Sequence, residues 1–95
     1  MTIDDFASIT RRIIERDGFD GYLPTLCLPS RRHIAVLEGV PDEQQKEIRR
    51  IALAWAADKA KADEEFLLAF KEDADHFRVI RRFRGQDEEQ VFRVE

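Results

Sequence analysis

Apolar residues recur at helical spacing over Phe6, Ile9, Ile13 and Ile14, which predicts a helix from Ile3 to Asp17. Thr2 is placed to cap it, and Asp4 and Asp5 fall in the first turn. Arg11, Arg12 and Arg16 fall toward the end where the macrodipole favours positive charge, and Gly18 is a stop. The period then changes from helical to alternating. "GYLPTLCLP" and "SRRHIAVLEG" read as two strands of a hairpin joined through Pro29, Ser30, Arg31 and Arg32. Leu26 and Leu28 point one way and Leu23, Thr25 and Cys27 the other; Ile34 and Val36 oppose Ala35 and Leu37. Both faces of this hairpin are therefore apolar. Pro24 lacks a ladder donor, which pushes its strand toward a sheet edge or limits pairing to its later half.

Gly39 ends the hairpin, and a second helix is expected from about Pro41, with Asp42 and Glu43 in its first turn and Lys59 and Lys61 at its close. Ile48, Ile51, Ala52 and Trp55 form its main apolar face. Leu53, Ala57 and Ala60 fall on a second stripe, which suggests burial on two flanks, one by the sheet and the other by the first helix or a second subunit. The last third reads as a meander. Phe66, Leu68 and Phe70 alternate with Leu67 and Ala69, "KEDAD" supplies a turn, and Phe77, Val79 and Phe83 share a face. Gly85 to Glu89 then turn into a strand over Val91 to Val94.

The resulting order is α-β-β-α-β-β-β. Hairpin connections imply an α+β fold: a two-layer sandwich with a mostly antiparallel sheet of about five strands and two helices on one face. The length of 95 residues suits a single domain spanning 1–95. A net charge of −4 with 38% charged residues describes a solvated surface and weighs mildly against non-specific binding to nucleic acid or anionic membranes. The longest apolar run, "IALAWAA" at 51–57, is far too short to span a bilayer, and the acidic start lacks the pattern of a signal peptide. A small cytoplasmic prokaryotic protein is the resulting expectation.

Few residues suggest chemistry. With one cysteine, an internal disulfide and a Cys-rich zinc site are excluded. Cys27 lies in an apolar strand with His33 across the hairpin; a buried structural thiol is the plainer reading than a nucleophile. "EDADH", with Glu72, Asp73, Asp75 and His76, gathers possible cation ligands at a hairpin tip, but its spacing matches no calcium loop and suits a solvated turn. The glycines assemble no phosphate cradle, and Ser8 and Ser30 sit on no nucleophile elbow. No catalytic residue, metal site or cofactor is expected, and the balance leans away from an enzyme.

The arginines of "FRVIRRFRG" (77–85) are the remaining signal. Pairing Phe70 opposite Phe77 sets Leu68 opposite Val79, Phe66 opposite Arg81, Leu67 opposite Ile80, Glu65 opposite Arg82 and Asp63 opposite Arg84. That register gives Arg82 and Arg84 cross-strand carboxylates and turns the phenylalanines inward. Arg78, Arg82, Arg84 and, from the last strand, Arg93 then face outward without the exposed aromatics that stack bases. Arg81 is left on the core face, where it must snorkel or meet a buried carboxylate.

A non-enzymatic interaction or regulatory module that self-associates, as a homodimer or another homo-oligomer, is therefore the leading expectation. Leu53 and Ala57 on the second helix, the two-sided first hairpin and the last strand's edge are its candidate surfaces. The alternative is a nucleic-acid or phosphorylated-ligand binder using Arg78, Arg82, Arg84 and Arg93, helped by Arg31 and Arg32.

Overall fold

Helix α1 spans Ile3–Asp17 in a computed structural model that describes the backbone of residues 1–95 and every side chain except that of Asp42. A capping box closes its N-terminus: the Asp5 N–H donates to the Thr2 hydroxyl and the Thr2 N–H to the Asp5 carboxylate, each at 3.1 Å. Gly18, at φ 86°, ends the helix by donating its N–H to the Ile14 carbonyl at 2.7 Å. Phe6, Ala7, Thr10 and Ile14 are buried, with Ile9 and Ile13 half-buried beside them. Thr10 fits a core position because its hydroxyl donates to the Phe6 carbonyl at 2.9 Å.

The strands are β1 (Thr25–Leu28), β2 (His33–Val36), β3 (Phe66–Lys71), β4 (His76–Phe83) and β5 (Gln86–Arg93). They form one antiparallel five-stranded sheet in the order β2-β1-β3-β4-β5. Helix α2 (Ile48–Lys59) follows a 3-10 turn over Asp42–Glu47. It begins later than the sequence suggested, because nothing apolar lies between Val40 and Ile48 to hold a helical turn against the sheet. The α+β class and the order α-β-β-α-β-β-β are as expected.

The helices, however, lie on opposite faces of the sheet rather than on one, so the layers are helix, sheet, helix. Phe6, Ala7 and Ile14 of α1 pack with Cys27, Leu67, Ala69, Phe77, Val79 and Phe92. Ile48, Ala52 and Ala56 of α2 pack with Leu26, Leu28, Phe66, Leu68, Phe70 and Ile80. β1 is buried along its length and β3 from Phe66 to Phe70, the pattern of strands covered on both sides.

The strand register follows from the same fact. Leu68 lies opposite Ile80, Ala69 opposite Val79, Phe70 opposite Arg78 and Phe66 opposite Arg82, one residue away from the expected pairing. A one-residue slip turns a strand's side chains to the other face. The expected register gathered the large apolar residues of β3 and β4 on one side, whereas two helices require them on both.

Two further expectations change. The β4–β5 turn is only Arg84 and Gly85, at φ 53° and 76°, and residues 86–89, expected as part of the turn, belong to β5. Positive φ at both central positions is the primed hairpin turn whose twist matches its strands. On α2, the buried line is Ile48, Ala52 and Ala56, with Leu53, Trp55 and Ala60 partly buried along its flanks. What looked like two stripes is one broad face on the sheet, and Ala57 is exposed beyond it.

Candidate interaction site

The arginines of β4 divide between the two faces. Arg78, Ile80 and Arg82 share the α2 face with Phe66 and Phe70, so the expected separation of arginines from aromatics does not hold, and Ile80 is 0% exposed beneath α2. The Arg82 guanidinium stands 5.4 Å from the Phe66 ring centroid. Arg81 faces the α1 side. Its Nε donates to Glu65 Oε2 at 2.8 Å and its Nη1 to Glu88 Oε1 at 3.0 Å.

Each partner comes from the strand geometry. β5 places Asp87 opposite Arg82 and Glu88 opposite Arg81. Arg82 donates from Nε and Nη2 to the two Asp87 oxygens at 2.7 and 2.9 Å. Arg78 donates to both Glu72 oxygens, at 2.9 and 3.0 Å, and to Glu89 at 3.0 Å; Glu89 also accepts from Arg49 of α2. The pairings Glu65–Arg82 and Asp63–Arg84 are thus replaced by Glu65–Arg81 and Asp87–Arg82. Hydrogen bonds from Arg78, Arg82 and Arg49 hold the carboxyls of Glu72, Asp87 and Glu89 below the usual carboxylate range.

The other candidate cations are distributed unevenly. Arg31 donates to Glu64 at 2.8 Å and to the Lys59 carbonyl at 3.0 Å, tying the β1–β2 turn to the end of α2. Arg84 lies 5.0 Å from the Phe83 ring centroid, and Arg93 is exposed on β5. Arg93 lends its carbonyl to Arg11 at 2.9 Å. Among the described residues Arg32 and Arg93 have no ion-pair partner. Arg82 and Arg84 line one shallow pocket with Ala57 and Lys61, whereas Arg78 and Arg93 border two others.

Cys27 is 3% exposed and burial pushes its thiol up, the opposite of what a nucleophile needs. At the β3–β4 turn, His76 Nδ1 meets Asp73 Oδ1 at 2.8 Å, and the same oxygen accepts the Asp75 N–H at 2.8 Å. The "EDADH" side chains thereby close their own turn. Among the described residues, no cluster of His, Cys, Asp and Glu is arranged to hold a metal ion.

The surface least accounted for by its own chain is the outer edge of β2. Ile34 and Val36 are each 48% exposed, on the α1 face but beyond the reach of α1. They border a groove of about 290 Å³ that also includes Ile13, Tyr22, Leu23 and Thr25. The Tyr22 hydroxyl is buried there with no hydrogen-bond partner within 3.5 Å among the described residues, and the neighbouring Thr10 and Thr25 hydroxyls donate to main-chain carbonyls. The Leu37 N–H donates to the Pro24 carbonyl at 2.8 Å, which fixes the alternation along β2. His33 and Ala35 face β1, and the amides and carbonyls of Ile34 and Val36 face outward. β5, the other edge, carries Asp87, Glu88 and Glu89 in succession. The sequence flagged this hairpin as apolar on both faces; that β2 is an edge became visible only with the strand order.

No protein-family model matches the chain, and neither does a curated protein or a solved structure.

Proposed function

We propose that the chain is a non-enzymatic interaction module that associates with itself. The observation that carries this reading is the β2 edge, an unguarded strand with two half-exposed β-branched residues. Edge strands in stable monomers are ordinarily protected by charge, proline or a covering element. β5 has that protection in its three acids; the face and outer edge of β2 do not. Burial of Ile34 and Val36 against a partner removes apolar surface from water and satisfies their outward amides.

The arginine-bearing surface supports a polyanion-binding reading less well. Arg49, Arg78, Arg81 and Arg82 each have carboxylate partners within the chain, so a phosphate would compete with those contacts. Among the described residues, no helix is long and apolar enough to cross a membrane.

Sedimentation equilibrium tests the proposal. We expect a reversible dimer with a dissociation constant in the micromolar range, as suits a small interface, and a shift to monomer on Val36→Lys, which places a charge on the open edge. A strict monomer at high micromolar concentration overturns the reading.

A further inference from the structure

Resting on the reading of the chain as self-associating, we infer that β2 pairs antiparallel with β2 of a second copy about a two-fold axis at Ala35, making one continuous ten-stranded sheet from two five-stranded ones. In this register Ile34 lies opposite the partner's Val36, and Val36 opposite the partner's Ile34. Both residues present their amides and carbonyls outward, so these become the hydrogen-bonded pairs. The two Ala35 residues form the closer non-hydrogen-bonded pair at the axis.

Side chains agree with the backbone. A two-fold axis normal to the sheet keeps the α1 faces of both copies on one side, so Ile34, Val36 and their symmetry mates join into a single apolar stripe. Outside the strand, Arg32, one residue before it in a left-handed turn at φ 50°, comes to the partner's Glu38, two residues after it, and Glu38 to the partner's Arg32. Both residues are exposed, and among the described residues neither has an ion-pair partner within its own chain. The chain thus carries, symmetrically placed about Ala35, a cation and a carboxylate that complement each other across a dyad. An isologous contact requires that self-complementarity.

The opposite edge fails the same test. Antiparallel self-pairing of β5 centred on Glu88 sets Asp87 opposite the partner's Glu89, and like charges directly across a sheet destabilise it. Those acids are also held by Arg82, Arg81, Arg78 and Arg49. A second copy of the chain at β2 is therefore the occupant that charge and backbone geometry select.

Cysteine scanning reads the register. At a non-hydrogen-bonded antiparallel pair the Cβ atoms are about 4.5–5.5 Å apart, close enough to close a disulfide with small adjustments. Under mild oxidation Ala35→Cys should give mostly cross-linked dimer, with Ile34→Cys and Val36→Cys giving little. Wild type is the control, since its sole thiol is buried. In parallel, Arg32→Glu or Glu38→Arg alone should weaken the dimer about fivefold, and the double exchange should restore it.

A cross-link that peaks at 34 or 36 overturns this register while self-association stands. A wild-type dimer with no cross-link at any of the three positions, and with no response to either charge reversal, overturns β2 as the interface. A wild-type monomer in sedimentation overturns both this inference and the reading it rests on.

Discussion

Arg81 and Glu65 form a salt bridge on the α1 face of the sheet, with side chains only 23% and 16% exposed. Glu65 lies just before β3, two residues from Leu67, which pairs with Arg81 across the ladder. The carboxylate therefore sits where an otherwise core-facing arginine needs it. Glu65→Gln should lower the melting temperature by about 5 °C, against about 1 °C or less for Glu88→Gln, whose side chain is 64% exposed. Thermal melts followed by circular dichroism decide it, and equal effects would contradict this ranking.

Leu67 and Leu68 are consecutive and both fully buried, on opposite faces of β3. Leu67→Ala and Leu68→Ala should each destabilise the fold by about 2–5 kcal/mol in denaturant titration. In a sheet with one solvated face, one of the two would be nearly neutral.

Glu89 joins Arg49 of α2 to Arg78 of β4. Combined Glu72→Gln, Asp87→Asn and Glu89→Gln substitutions free Arg49, Arg78 and Arg82. The variant should gain salt-sensitive retention on a polyanion resin, while wild type elutes early. Strong, salt-sensitive retention of wild type would show that the internal carboxylates do not occupy these arginines.

Acid should unfold the chain cooperatively. Glu64, Glu72, Asp87 and Glu89 have carboxyls lowered chiefly by hydrogen bonds from arginine, against ordinary values of 4.5 for Glu and 3.8 for Asp. A lowered folded pKa gives stability that is complete above the unfolded value and lost as pH falls through the folded one. Urea midpoints should be flat from neutrality down to about pH 5 and decline below it. A decline that begins above pH 6 would point to other groups.

Tyr22 works in the opposite direction. Burial raises its phenol above the ordinary 10.0, so its contribution is complete below that pH and is lost as pH rises through the folded value. As the sole tyrosine, its ionisation can be followed directly by near-ultraviolet absorbance. The native midpoint should lie above 10.0 and return there in denaturant. Tyr22→Phe should be neutral or stabilising, because the hydroxyl it deletes has no partner.

Local signals in the sequence located nearly every element. Thr2, Asp5 and Gly18 bound α1, and Pro29 to Arg32 mark the β1–β2 connection, because caps and turns act over a few residues. Facing relations between elements were harder. The run Phe66 to Phe70 is apolar at every position, so alternation there assigns no side, and a match of phenylalanine to phenylalanine gives a register one residue off. That register assigns Arg82 to Glu65 and Arg84 to Asp63, whereas Arg82 pairs with Asp87. The pattern starts β5 late because Asp87, Glu88 and Glu89 read as a turn, whereas cross-strand arginines compensate for the missing apolar alternation. Ile34 and Val36 are visibly apolar in the sequence, but an edge is a property of strand order, which no local pattern encodes.

The strand order also separates local pairings from one non-local pairing. The β1–β2 hairpin and the β3–β4–β5 meander each join neighbours in the chain, whereas the β1–β3 seam closes across α2 and the whole connection around it. Closing that long loop costs more chain entropy than closing either hairpin. Substitutions at Leu26 or Leu68, which meet on the seam, are therefore placed to retard folding. Changes at the Arg84–Gly85 turn would be felt inside a meander that assembles locally.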